Sequence, residues 1–131
     1  MRHLLDSHIL LWHFAAPDRL STGARSVLAA PESELVVSVV SLWELCLKAS
    51  LGKLDGPRPF LPHIESRLEA LGARVLLVEI DHVRCYESLP RLHGDPFDRM
   101  LAAQAISQGL TLITADEKLR RYPVPILWAG A

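Results

Sequence analysis

The chain has 131 residues, 50% hydrophobic and 22% charged, which suits one compact domain over residues 1–131 and leaves too little length for a second. Fourteen Lys and Arg against fifteen Asp and Glu give a formal net charge of −1, which argues against a polybasic nucleic-acid coat protein or a basic membrane-surface module. Any phosphate-bearing partner must be held by local groups.

The opening stretch MRHLLDSHILLWHFAAP is apolar, but Asp6, His8 and His13 interrupt it, so neither a signal peptide nor a membrane span is expected. Cys46 and Cys85 form no CxxC and supply neither a zinc motif nor a disulfide framework. A soluble cytoplasmic protein is expected.

In chain order, short apolar runs alternate with helix-length segments. RHLL precedes Asp6 and is followed by SHILLWHFAAP and STGARSVLAAP; ELVVS from Glu34 is followed by SLWELCLKASLGKL and FLPHIESRLEALG. RVLLVEI from Arg74 leads into DHVRCYESLP and DPFDRMLAAQAISQG, and LTLIT from Leu110 follows. Gly52, Gly56, Pro57 and Pro59 mark a loop between helices, and VPILW from Val124 reads as an added edge strand beside Pro123 and Pro125. The order is β, α, α, β, α, α, β, α, α, β. Buried strands without clean period-two alternation predict a three-layer α/β/α sandwich around a parallel sheet of four to five strands.

In such a sheet the strand C-ends and the helix N-ends share one edge, where open α/β folds bind ligands. Asp6 follows RHLL, Glu44 is placed in the first turn of the helix opening at Ser41, Asp98 lies in the first turn of DPFDRMLAAQA, and Asp116 follows LTLIT. Carboxylates crowded on one edge repel unless a cation sits among them, and oxygen donors without thiolate suit Mg²⁺ or Mn²⁺. The implied chemistry is phosphodiester hydrolysis by activated water.

Each acid also has a purely structural reading. Ser41 and Glu44 make a capping box, Glu44 pairs with Lys48 at i,i+4, and Asp95 precedes Pro96 as an N-cap does. Asp116 can cap the helix DEKLRRY, Thr114 can be an ordinary strand residue, and Asp81 is read as a cap and left off the site. Ser7 can cap the first helix, which leaves Asp6 without a structural task. The six histidines lack zinc-ligand spacing and read as surface or cap residues, while Trp12, Phe14, Trp43 and Phe97 read as core. No GxxxxGK[ST], GxGxxG or GxSxG is present.

At LLDSHILLW, SVVSLWELCLKASLGKL and HGDPFDRMLAAQAISQGLTLITAD, with the terminal strand, the sequence resembles the PIN-domain ribonucleases, and closely the VapC-type toxins of bacterial toxin-antitoxin modules. The resemblance implies a growth-inhibiting endoribonuclease dependent on Mg²⁺ or Mn²⁺ and a sheet ordered 3-2-1-4-5. It assigns Asp6, Glu44, Asp98 and Asp116 as catalytic acids, with Asp6, Asp98 and Asp116 as metal ligands and Asp95, Thr114 and Ser7 auxiliary. Ser7 stands where a threonine is common and keeps a hydroxyl. The resemblance further implies a homodimer and a small cognate antitoxin, lying near the first helices and using exposed residues among Leu10, Leu11 and Trp12. Lys48, Arg99, Lys118, Arg120 and Arg121 are the nearest RNA-contact candidates, against the alternative of a solvated helix face.

Two other readings stand beside this one. An aspartyl-phosphate phosphatase or receiver needs a second Asp two residues after Asp6, or an acidic pair before it, and His8 occupies the former position. A non-catalytic RNA- or protein-binding module of the same fold would keep the acids as caps.

Overall fold

The computed structural model describes residues 2–55, 59–92 and 94–131. Strands β1 (Arg2–Leu5), β2 (Glu34–Ser38), β3 (Arg74–Leu76), β4 (Thr111–Thr114) and β5 (Ile126–Trp128) form one parallel sheet in the order β3-β2-β1-β4-β5. Helices α1 (Ser7–Ala15), α2 (Thr22–Ala29), α3 (Val39–Ser50), α4 (Phe60–Leu71), α5 (Ile80–Ser88) and α6 (Pro96–Gln108) connect the strands. Gly56 and Pro57 of the expected loop lie outside the described residues.

Leu4 and Leu5 show how the layers are made. Successive side chains on a strand point to opposite faces. Leu5 joins the cluster of Ile9, Leu10, Leu28, Leu45 and Ile64 from α1 to α4. Leu4 joins Val36, Leu101, Ala105 and Leu112 under α6. Both faces are covered, as a parallel sheet requires.

Several local expectations are corrected. Helix α3 opens at Ser38, whose hydroxyl accepts from Val40 N at 3.0 Å, so Ser41 lies inside the helix and Glu44 stands beyond the first turn. The N-cap of α5 is Glu79, whose backbone N–H donates to His82 Nδ1 at 3.0 Å, while Asp81 instead pairs with Arg84 at 2.6 Å. Of the histidines expected as surface or cap residues, His82 takes the cap role while buried, and His3 is buried in β1 rather than on the surface. β3 is an edge strand with two of its residues exposed, and the following Leu77 and Ile80 are exposed as well. No helix among the described residues is long and apolar enough to cross a membrane.

Candidate active site

β1 sits between β2 and β4, where chain connections leave in opposite directions and the strand C-ends open a crevice. Asp6 occupies that position, its backbone N–H donating to Ile113 O of β4 at 3.0 Å. It is the N-cap of α1 by backbone geometry, yet its side chain makes no capping bond. The carboxylate instead faces the crevice, with Oδ2 accepting from Thr114 Oγ1 at 2.8 Å. Thr114 Oγ1 in turn accepts from Asp116 N at 3.1 Å. The strand residue thus orients the acid.

Ser7 does not cap α1. Its hydroxyl donates to Glu44 Oε1 at 2.7 Å, tying α1 to α3, and Lys48 lies 3.2 Å from Glu44 Oε2. The expected i,i+4 pair exists, but on a buried Glu44 that faces the other acids. Asp95 caps α6, accepting from Phe97 N at 2.8 Å and Asp98 N at 3.4 Å, which fixes the turn that delivers Asp98. Asp6, Glu44 and Asp98 are all buried, and each offers an oxygen within 4.8 Å of the others.

Asp116 stands outside this triad. Its Oδ1 accepts from Lys118 N at 3.0 Å, capping the short 3-10 turn Glu117–Arg121, and it lines a cleft with Asp6, His8 and Trp12. Among the cationic candidates, Lys48 pairs with Glu44, Lys118 and Arg121 are exposed, and Arg120 lies 3.8 Å over the Trp128 ring. Arg99 is not on a solvated face. It is buried, donating to Pro90 O at 2.9 Å and Tyr122 Oη at 3.2 Å.

The electrostatics follow from burial. Desolvation, then repulsion from Asp6, Asp95, Glu44 and Asp116, pushes the Asp98 carboxyl up to about 8. Desolvation raises Asp6 above the ordinary carboxylate range against the lowering pull of the Thr114 hydrogen bond and His8, with Glu44 adding to the rise. Three buried carboxylates gathered at one point, with the Lys48 ammonium on Glu44, make an oxygen donor set that fits a hard divalent cation.

The aromatic reading is also corrected. Trp43 is 63% exposed and meets Phe97 edge-on at 4.8 Å, beside an almost wholly apolar cleft shared with Val39, Val78 and Met100. Helical spacing marked it as apolar, but that spacing cannot say which side of a helix is covered. Leu10, by contrast, is fully buried and is not open to a partner.

A sequence profile of the PIN domain matches residues 3–125. The chain belongs to the PIN-domain family. This PIN domain is 33% identical over 126 residues to Ribonuclease VapC22 of Mycobacterium tuberculosis (strain ATCC 25618 / H37Rv), covering 94% of this chain and 95% of that protein. The solved VapBC2 of Rickettsia felis, bound to a promoter DNA fragment, superposes with a TM-score of 0.71 at 20% identity, covering 99% of this chain and 100% of the other. FitAcB of Neisseria gonorrhoeae superposes at 0.69 with 20% identity over 96% of each chain. The sheet order and crevice described above are therefore those of the PIN fold.

Proposed function

We propose that this PIN domain is a divalent-metal-dependent endoribonuclease that acts as a growth-inhibiting toxin. The observation that carries the reading is the buried meeting of Asp6, Glu44 and Asp98 within 4.8 Å at the sheet's crevice. Its relative over nearly the full length is a ribonuclease by name.

Asp6 and Asp98 would hold Mg²⁺ or Mn²⁺, with Glu44 beside them and Asp116 at the rim. When bound, the ion supplies charge neutralisation at the phosphoryl oxygens and a lowered pKa for attacking water. Thr114 fixes Asp6 by donating to Oδ2, and Ser7 fixes Glu44 by donating to Oε1. Lys48 lies against the second Glu44 oxygen, so both oxygens of that carboxylate are held in place.

The partners follow the same reading. The solved neighbours include toxin-antitoxin complexes, and we place a cognate antitoxin segment over α1 and α4, where Leu11, Phe14, Phe60, Ile64 and Arg67 line a cleft. A homodimer would bury the exposed Trp43 and the apolar cleft beside Phe97.

Incubation of the purified chain with RNA is the direct test. Cleavage is expected with Mg²⁺ or Mn²⁺, and it should vanish in excess chelator and in Asp6→Asn. Undiminished cleavage in chelator would reject the metal mechanism; RNA affinity without cleavage in every metal would support the non-catalytic module.

A further inference from the structure

The N-terminal turn of α6 serves two places at once. Neighbouring helix residues point about 100° apart, so Asp98 enters the acid cluster while Arg99 turns toward α5. There the Arg99 guanidinium lies 4.8 Å over the Tyr86 ring and donates to Pro90 O and the Tyr122 hydroxyl. With Tyr86, Arg91, Leu92 and Gly94 it lines a cleft of about 460 Å³.

The two helices run antiparallel, since His82 meets Gln104 and Gln108 while Tyr86 meets Arg99. The C-terminal end of α5 therefore lies on the same edge of the molecule as Asp98. Buried charge is ordinarily paired, yet among the described residues the acceptors of Arg99 are neutral, two carbonyls and a phenol. The ion pairs among the described residues join Lys48 to Glu44, Arg84 to Asp81 and Arg120 to Glu117, and neither Arg91 nor Arg99 takes part in one. Two guanidinium groups without a carboxylate, one preorganised by an aromatic ring and three oxygens, form a phosphate receptor.

We propose that the cleft between Arg91 and Arg99 is a phosphate-binding subsite that holds the RNA backbone beside the acid cluster, an assignment that rests on the ribonuclease reading. Arg99 forms its fixed floor and Arg91, exposed at the rim, closes on the phosphate. The attraction offsets the repulsion that the acids exert on a polyanion, which an overall charge of −1 cannot do.

Two measurements test it. Inorganic phosphate titrated into the wild-type chain should shift the Gly94 amide and the Arg91 and Arg99 Nε–H resonances saturably. Binding of a labelled single-stranded RNA, in the Asp6→Asn background, should then be followed against salt. Arg91→Ala should lower the salt slope by about 0.7 per lost phosphate contact, Arg91→Lys should restore part of it, and Arg25→Ala on the opposite layer should change nothing. Absence of saturable shifts overturns the subsite. Saturable shifts with an unchanged slope overturn the RNA backbone as its occupant in favour of free phosphate. An unchanged slope in a chain whose wild type cleaves RNA with metal leaves the nuclease reading standing, whereas saturable phosphate binding without any metal-dependent cleavage would remove that reading instead.

Discussion

Thr114 and Asp6, 108 residues apart in sequence, make the 2.8 Å contact that orients the first acid. Groups hydrogen-bonded to metal ligands tune affinity by about 10–100-fold, so Thr114→Val should weaken Mg²⁺-dependent cleavage by about that factor, with a higher metal concentration for half-activation. Thr114→Ser should recover most of it. Asp98 gives a pH prediction. Its carboxyl is held at about 8 against an ordinary 3.8. A raised carboxyl pKa stabilises the folded state fully below the unfolded value and loses that contribution as pH rises through the folded value. In chelator, the melting temperature should therefore fall between about pH 4 and pH 8. Asp98→Asn, neutral and nearly isosteric, should flatten the fall, and Mg²⁺ should raise the wild-type melting temperature most above pH 8. An equal pH response in both proteins would show that Asp98 is not the strained acid.

The elements deliver these side chains by ordinary capping chemistry. Asp95 was legible as an N-cap from its place before Pro96, and it does cap α6 while adding negative charge next to Asp98. Asp95→Ala should cost about 1 kcal/mol of stability, measured by denaturant unfolding, and lower cleavage through misplacement of Asp98 without abolishing it. Loss as complete as that of Asp98→Asn would mean that Asp95 contacts the metal. Ser41 and Glu44 also spelled a capping box, but Ser38 starts α3 instead. The β-branched Val39 and Val40 read as strand, and the Ser38 hydroxyl outweighs that local preference by satisfying Val40 N. The shift of the helix start leaves Glu44 free of capping duty and aimed at the other acids.

At the scale of the whole molecule, one surface is unfinished. Trp43 is 63% exposed and lines an apolar cleft with Val39, Val78, Phe97 and Met100. Isolated exposed apolar residues are commonplace, but a contiguous group marks an interaction surface. Light scattering during size-exclusion chromatography should give twice the 14.6 kDa chain mass, and Trp43→Glu should shift the protein to monomer with its circular dichroism retained. A wild-type monomer at all concentrations would place this surface against another partner.

The parallel sheet, its order of elements and the edge carrying the acids were legible from the chain alone, because buried strand runs and helix caps are local signals that the sheet topology then sorts. Asp6 stood out for the same reason, a carboxylate at a strand end with Ser7 available beside it. Which acids meet was decided only by tertiary packing: Asp6, Glu44 and Asp98 converge, while Asp116 turns to cap Lys118. Exposure of Trp43 and burial of Arg99 were equally hidden, since a periodic pattern fixes the spacing of residues on a helix but not what covers each face. Long-range contacts such as Arg99 with Tyr86 and Tyr122 depend on how α5, α6 and the turn after β4 come together, and no local stretch of sequence encodes that meeting.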